Sequence, residues 1–194
     1  MSRAGGTKSA GQQAKKNIIE AARQFFSEYG YLGVSMSDIA SRLNMTKAAL
    51  YYHFTGKNEI FKTVLDEAFT ELNQALTEAK NEKTAERKLE GLIKAYFQFG
   101  AREKNLTKAL VLKHAPNGTK ITEHIAELRT KLINLIQPVV EEVLAGKKIV
   151  KQVDGHTYTL LLIGMMDGLL LEYSLFKRKI EPDEIARAIM LALF

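Results

Sequence analysis

The sequence contains no cysteine, which excludes disulfide bonds, thiolate metal sites and a cysteine nucleophile. Residues 1–11 are rich in glycine, serine and lysine and lack an apolar core, so no signal peptide is expected. The most apolar run, residues 158–171, contains Asp167 and is followed by Glu172, which makes it too short and too polar to span a bilayer. These absences predict a cytoplasmic protein without a membrane segment.

Motifs typical of enzymes are missing as well. The four histidines are scattered along the chain, and none follows a glutamate by three residues, as a di-iron carboxylate bundle would require. The sequence has no H-E-x-x-H zinc motif, no glycine-rich phosphate loop and no G-x-S-x-G nucleophile elbow. We therefore expect no catalytic activity, no cofactor and no metal site.

An excess of positive charge lies in the N-terminal third of the chain. The net charge is +6, and residues 1–60 contribute +4 of it, from eight basic and four acidic side chains. A basic region favours an anionic partner, first a nucleic acid and second a membrane surface. The same charge is compatible with ordinary solubility, so charge alone does not decide the question.

The apolar residues follow a helical period, and no segment has the alternating pattern of a strand. The sequence therefore predicts an all-α fold with about nine helices. After a flexible basic tail at residues 1–11, we expect a first helix that ends at Gly30 and a last helix that starts at Pro182. The helices predicted between them span about 37–43, 47–54, 57–80, 85–102, 106–113, 120–144 and 156–176.

Residues 35–61 contain two short helical patterns on either side of a tight turn. Ser35 or Ser37 and then Thr46 stand where helix caps are expected. Asn44 lies where a helix-turn-helix needs a residue that tolerates the left-handed backbone region. These positions predict a helix-turn-helix.

The second of these short helices has an unusual outer face. Leu50 and Phe54 are four residues apart and share the inward side, which leaves small residues, two tyrosines and a lysine outside. Small residues allow close approach to a surface, and an α-helix fits the major groove of DNA. Taken alone, the aromatic residues of this helix are at least as compatible with core packing as with DNA contact. The helix-turn-helix spacing and the basic surroundings favour DNA recognition.

Five segments of the N-terminal region resemble the DNA-binding signature of the TetR/AcrR family of bacterial transcriptional regulators. Asn44-Met45-Thr46 stands where that family often has Gly-Val-Ser, and asparagine can adopt the same turn. The remaining two thirds of the chain resemble the family only in length and in the number and order of helices. The matching segments are Phe25-Phe26, Tyr29-Gly30-Tyr31, residues 35–40, residues 46–54 and residues 57–61.

The resemblance implies a ligand-responsive repressor that binds a palindromic operator in double-stranded DNA as a homodimer and is released by a small-molecule effector. It implies a helix-turn-helix DNA-binding domain at residues 12–58, with the motif at about 34–53, and an effector-binding and dimerisation domain at residues 59–194. A duplex-DNA-binding module of the nucleoid type, without sequence specificity or an effector, is the alternative. The implied DNA contacts are Ser35, Ser37, Thr46, Lys47, Ala48, Ala49, Tyr51, Tyr52, His53 and Lys57.

Three further features of the N-terminal region allow two interpretations each. Arg42 is compatible with DNA contact and with a solvated helix surface. His53 either donates a hydrogen bond to phosphate or is a structural histidine among aromatic residues. The basic tail either reaches the DNA backbone or minor groove or is disordered.

The helix predicted at 156–176 is apolar nearly all round, so it must be buried on several sides. We expect it to pair with the last helix across a two-fold axis and form a four-helix bundle between two subunits. A central helix in a monomer is the alternative. The predicted interface residues are Leu161, Gly164, Met165, Gly168, Leu171, Ile185 and Ile189.

The resemblance also implies an effector pocket beneath the fourth helix, enclosed by the three helices that follow it. A ligand there would move the fourth helix and change the separation of the two DNA-binding domains. Each residue of the predicted lining is also compatible with ordinary core packing. The predicted lining consists of Phe69, Tyr96, Phe97, Phe99, Leu112, His114 and Ile125.

Overall fold

The structure, a computed structural model, describes residues 4–103, 105–107, 120–147, 153–176 and 178–193. Within these ranges the secondary structure is helical, without strands, so the all-α prediction is confirmed. Most of the helix predicted at 106–113 falls outside the described residues. The helices are α1 (Ala4–Tyr29), α2 (Met36–Arg42), α3 (Lys47–His53), α4 (Lys57–Ala79), α5 (Ala85–Arg102), α6 (Lys120–Ala145), α7 (Gly155–Leu175) and α8 (Pro182–Leu193).

The prediction of a flexible tail over residues 1–11 is wrong for residues 4–11, which belong to α1. The glycines at positions 5, 6 and 11 favoured a tail because glycine is a poor helix former. Extending an existing helix needs no new nucleus, however, and each added residue gains a backbone hydrogen bond. The helical pattern that starts at Gln12 therefore continues towards the N-terminus.

The N-terminal helices α1, α2 and α3 enclose a small core together with the start of α4. Phe26, Ile39 and Leu50, one from each of these helices, are completely buried. The ring of Phe26 meets Phe61 of α4 edge-on, with centroids 4.8 Å apart. Because the core continues into α4, the orientation of α1, α2 and α3 depends on the position of that helix.

Helix α5 lies at the centre of the C-terminal region and packs against α4, α6, α7 and α8. Its buried residues follow a helical stripe that includes Leu92, Ile93 and Phe97. At Gly100 the side chain of Leu170 from α7 comes so close that an added Cβ would lie 2.6 Å from a methyl group. A glycine at this position therefore permits the close crossing of α5 and α7.

Helix α7 is longer than the apolar run at 158–171 from which it was predicted. It has 21 residues and a mean hydropathy of 1.3 in an 18-residue window, which by length and composition is enough to cross a membrane. The prediction that this segment is too short and too polar is therefore wrong on these two measures. Asp167 in its middle is buried, and Tyr96 and Arg129 bind its carboxylate from neighbouring helices. This packing is typical of a core helix of a helical bundle.

Candidate DNA interface, cavity and subunit surface

Local hydrogen bonds fix the geometry of the helix-turn-helix. Ser35 caps α2: the Asp38 amide donates to its Oγ at 3.3 Å, and the Ser35 amide donates to the Asp38 carboxylate at 2.7 Å. Hydrogen bonds from Ser35 lower the pKa of Asp38. Asn44 has a φ of 52°, so it occupies the left-handed region as predicted. Thr46 caps α3 by accepting a hydrogen bond from the Ala49 amide at 3.1 Å. The turn and both caps therefore fix the orientation of α3 relative to α2.

Helix α3 presents the predicted residues to solvent. Tyr52 is 86% exposed and Tyr51 is 52% exposed, whereas Leu50 between them and the core is completely buried. Lys47 and Ala48 are exposed in the first turn. We call Lys47, Ala48, Tyr51 and Tyr52 the α3 surface. It combines one cation, one methyl group and two phenol hydroxyls on a helix that the domain core holds from behind.

Four other candidate DNA contacts differ in their exposure. Ala49 and His53 are half-buried, and the ring of His53 meets Tyr52 edge-on with centroids 5.2 Å apart. Ser37 is half-buried in the first turn of α2, and Arg42 is exposed in its last turn.

Lys57 has a structural role that its sequence position did not reveal. Its ammonium group donates to the carbonyls of Tyr31 and Val34, both at 2.9 Å, and lies 4.1 Å from the centre of the Tyr31 ring. Burial lowers the pKa of Lys57. An ammonium group has three donors, so one remains for a phosphate. Lys57 therefore clamps the loop between α1 and α2 to the start of α4.

A charged cluster joins the two parts of the molecule. Arg23 of α1 donates to Glu71 of α4 at 2.8 Å and to Glu103 at 2.9 Å, and Arg102 donates to Glu71 at 2.7 Å. The hydrogen bond from Arg23 lowers the pKa of Glu71. Asn105 donates to the carbonyl of Ser27 at 2.6 Å. The end of α5 and the residues after it are thus bonded directly to α1.

A small cavity lies between α4, α5 and α6. Its volume is about 20 Å³, enough for roughly one water molecule. Three residues of the predicted lining, Phe69, Tyr96 and Phe99, lie on its wall. The other described residues of the wall, which were not predicted as pocket lining, are Leu72, Thr107, Leu128, Arg129 and Leu132.

The other predicted lining residues are placed differently. Phe97 and Ile125, which are 0% and 1% exposed, are not among the described residues that line this cavity. Their place in an effector pocket stays a prediction. Leu112 and His114 lie outside the described residues.

One end of the cavity carries an internal ion pair. Arg129 of α6 binds one oxygen of Asp167 from α7, and the Tyr96 hydroxyl donates to the other. Burial, followed by the charge of Asp167, raises the pKa of Tyr96 well above its usual value. A buried carboxylate is tolerated when it is paired and hydrogen-bonded in this way. The charge of Arg129 is therefore balanced inside the protein.

Helix α7 also has an outward apolar stripe. Leu161 and Leu175 are 51% and 66% exposed, and Gly164 and Gly168 lie between them with open space around an added Cβ. We call these four residues the α7 surface. Among the described residues, none lies close enough to require glycine at positions 164 and 168. A close approach of another surface would require it.

Two residues of the predicted interface face the other way. Ile185 and Ile189 are 5% and 2% exposed, because α8 turns them inward against α5. Their assignment to a subunit interface is therefore wrong. The exposed side of α8 carries Leu191, which is 87% exposed, with Ala188 and Ala192. Met165 and Leu171 are half-buried at the edge of the α7 surface.

Comparison with known proteins decides the family. The sequence model of bacterial regulatory proteins of the tetR family matches residues 18–64. One relative is the biofilm operon icaADBC HTH-type negative transcriptional regulator IcaR of Staphylococcus epidermidis. The two sequences are 30% identical over 122 residues, and this stretch covers 61% of this chain and 64% of that protein. Residues 18–64 thus match the TetR family of bacterial regulatory proteins, and the staphylococcal relative supports the same family. The predicted family is thereby confirmed.

Solved structures extend the likeness to 92% of the chain. The fatty acid degradation regulator FadR from Bacillus halodurans has a TM-score of 0.78 at 20% identity, over 92% of this chain and 93% of that one. FadR from Bacillus subtilis in complex with stearoyl-CoA has the same TM-score at 21% identity, over 92% and 96%. At such identities the likeness establishes the fold. The curated relatives are matched over less of their length, 64% for the protein above and 45% for its Staphylococcus aureus counterpart.

Proposed function

We propose that this TetR-family chain is a dimeric transcriptional repressor that binds a palindromic operator and is released when a small molecule occupies the cavity. The observation that carries the proposal is the α3 surface, which leaves Lys47, Ala48, Tyr51 and Tyr52 uncovered on a rigidly capped helix. It lies within the residues that the family model matches. The staphylococcal relative is named a negative transcriptional regulator, which supports repression.

Helix α3 would enter the major groove with its N-terminus towards the base edges. Lys47 would bond to a base or phosphate, and the methyl groups of Ala48 and Ala49 would meet thymine methyl groups. The hydroxyls of Tyr51 and Tyr52 and the ring of His53 would hold phosphates. The side chains at the helix starts, Ser35, Ser37 and Thr46, and the remaining donor of Lys57 would add phosphate contacts.

The α7 surface supports dimerisation. An exposed stripe of leucine and glycine invites a second copy of the same helix, because glycine allows the backbones to approach closely and burial removes apolar surface from water. The uncovered side of α8, with Leu191, would enlarge the interface. A two-fold dimer presents two α3 helices, as half-sites spaced about 34–36 Å apart or a multiple of this require.

The cavity supports effector control, because its wall and the charged cluster share α4. Phe69 and Leu72 face the cavity, while Glu71 between them binds Arg23 of α1. A ligand larger than one water must displace the wall, and a displacement of α4 changes the position of α1. Release requires that the ligand bind the DNA-free arrangement more tightly. A FadR structure of the same fold contains stearoyl-CoA, which supports a small-molecule ligand here.

The test is selection of duplexes from a random DNA pool by the purified protein, followed by footprinting at fixed salt. We expect one enriched palindrome, protected by a dimer and bound at least about a thousand times more tightly than unrelated duplex. A nucleoid-type module would instead enrich no sequence and would bind every duplex with similar affinity. That result would refute the proposal.

A further inference from the structure

The wall of the cavity between α4, α5 and α6 is mostly apolar. Five of its residues are leucine or phenylalanine, and they surround the space on three helices: Phe69, Leu72, Phe99, Leu128 and Leu132. Because most of the wall offers a ligand no hydrogen-bonding group, it favours a ligand whose surface is mainly hydrocarbon. The specificity of the site then depends on the few polar groups at its edge.

The charges at the edge of the cavity already balance each other. Among the described residues of the wall, the charged one is Arg129, whose guanidinium binds Asp167; the other oxygen of Asp167 accepts the Tyr96 hydroxyl. An anionic ligand would have to share Arg129 with Asp167, which would leave an excess negative charge in a buried place. Such an uncompensated charge is strongly unfavourable. A cationic ligand would meet the positive side of the same pair.

Thr107 supplies a polar group that is still available. It lines the cavity and is 6% exposed, and among the described residues its hydroxyl has no hydrogen-bond partner. A buried hydroxyl without a partner is unfavourable, so a ligand that hydrogen-bonds to it gains more than it would at a satisfied group. The hydroxyl can donate or accept.

From this arrangement we infer that the cavity takes an uncharged, predominantly hydrocarbon molecule whose one hydrogen-bonding group meets the hydroxyl of Thr107. The inference rests on the proposed function in one respect, namely that this cavity is the effector site. It adds the chemical class of the ligand and the residue that selects it. Since the present space holds about one water, occupancy separates α4, α5 and α6.

Three probes with the same chain and different charge test the class of ligand: 1-octanol, octanoate and octylammonium, each titrated into the full chain by calorimetry. We expect saturable binding of one octanol per subunit, at least about tenfold tighter than either ion. Equal or tighter binding of octanoate would overturn the inference, and so would the absence of saturable octanol binding.

Two matched variants test the role of Thr107. Thr107→Val keeps the shape of the side chain and removes the hydroxyl, so we expect octanol to bind about tenfold more weakly and the ligand-free protein to melt no lower than the parent. Thr122→Val is the control, because the Thr122 hydroxyl is also buried without a partner among the described residues but does not line the cavity. Unchanged octanol affinity in Thr107→Val would overturn the assignment.

The same protein preparation separates this inference from the proposed function. Operator selection without any ligand tests DNA recognition, whereas octanol titration without DNA tests the cavity. An enriched palindrome together with failed octanol binding would overturn the ligand class alone. Octanol binding at Thr107 without operator selection would overturn the proposed function and leave the cavity assignment standing.

Discussion

The α3 surface and the α7 surface are both uncovered helix faces, yet their chemistry differs. The α3 surface offers a lysine and two tyrosine hydroxyls, with Arg42 exposed nearby. The α7 surface itself consists of leucine and glycine, but Glu172, four residues after Gly168 and three before Leu175, lies in the same helical stripe with its side chain 46% exposed. A polar, cationic face suits a charged partner, and a largely apolar face suits another apolar face.

The difference shows that an unusual outer helix face does not by itself identify the partner that binds it. Both faces contain small residues, and each has one charged side chain, Lys47 on the α3 surface and Glu172 in the stripe of the α7 surface, where a solvated helix face usually has several. The small residues serve close approach in each case. In the proposed function, the groups at their borders decide what approaches: a nucleic acid at α3 and a second copy of the chain at α7. Four experiments test this contrast.

A charge on the α7 surface should have the largest effect. In Gly168→Glu the new side chain has room in the monomer, so folding should be retained, whereas two unpaired carboxylates would be buried in a dimer. We expect the dimer to weaken by at least about 4 kcal/mol, roughly a thousandfold. Sedimentation equilibrium measures the dimer, and circular dichroism reports whether the helices persist.

The matched control is Ala126→Glu, which places the same side chain on an exposed position of α6. It should leave the dimer unchanged. A stable Gly168→Glu dimer would show that the α7 surface is not the subunit interface.

The next largest effect should be that of salt, which should weaken DNA binding by the α3 surface but not association through the α7 surface. If about four cation–phosphate contacts form, operator affinity should fall about a hundredfold between 50 and 200 mM salt, because condensed counterions are no longer released as favourably. The dimerisation constant should not weaken over the same range, since apolar burial is insensitive to screening. Fluorescence anisotropy on labelled operator and sedimentation at matched salt measure both. A dimer that dissociates with rising salt would mean that ion pairs hold it.

Two lysines beside α3 should then behave differently. Lys57→Ala leaves the carbonyls of Tyr31 and Val34 without their donor, so we expect a loss of about 2 kcal/mol in the free energy of unfolding. Lys47→Ala removes an exposed cation and should leave stability unchanged while it reduces the salt dependence of operator binding by about one contact per subunit. Urea unfolding of both variants decides. Equal stability of the two would contradict the clamp role of Lys57.

Local signals predicted the DNA-binding half of the fold well. The left-handed φ of Asn44 and the caps at Ser35 and Thr46 follow from residues within one or two turns of each position. Such features depend on backbone chemistry that the sequence displays directly. The family signature over residues 18–64 has the same local character.

The cavity and the interface were predicted less completely, because both depend on how helices cross. Adjacent apolar residues such as Tyr96 and Phe97 lie about 100° apart on a helix, and periodicity does not say which one meets a gap. Ile185 and Ile189 formed a clear apolar stripe, but the sequence left open whether α5 or a second subunit covers it. Thr107 approaches Arg129 only through the tertiary fold. These relations are long-range.

Removing a single hydroxyl from the α3 surface should have the smallest effect. Tyr52→Phe keeps the 86% exposed ring and its contact with His53 and removes only the hydroxyl. If that hydroxyl donates to a phosphate, operator affinity should fall by about 1 kcal/mol, roughly fivefold, without a change in stability or in the preferred sequence, because a phosphate contact carries no base information. Anisotropy titrations on the selected operator and on single-base variants measure this. A loss confined to one base pair would instead assign Tyr52 to a base edge, and unchanged affinity would remove the hydroxyl from the interface. Either outcome would leave Lys47 and the residues around it as the groups whose phosphate contacts distinguish the α3 surface from the α7 surface.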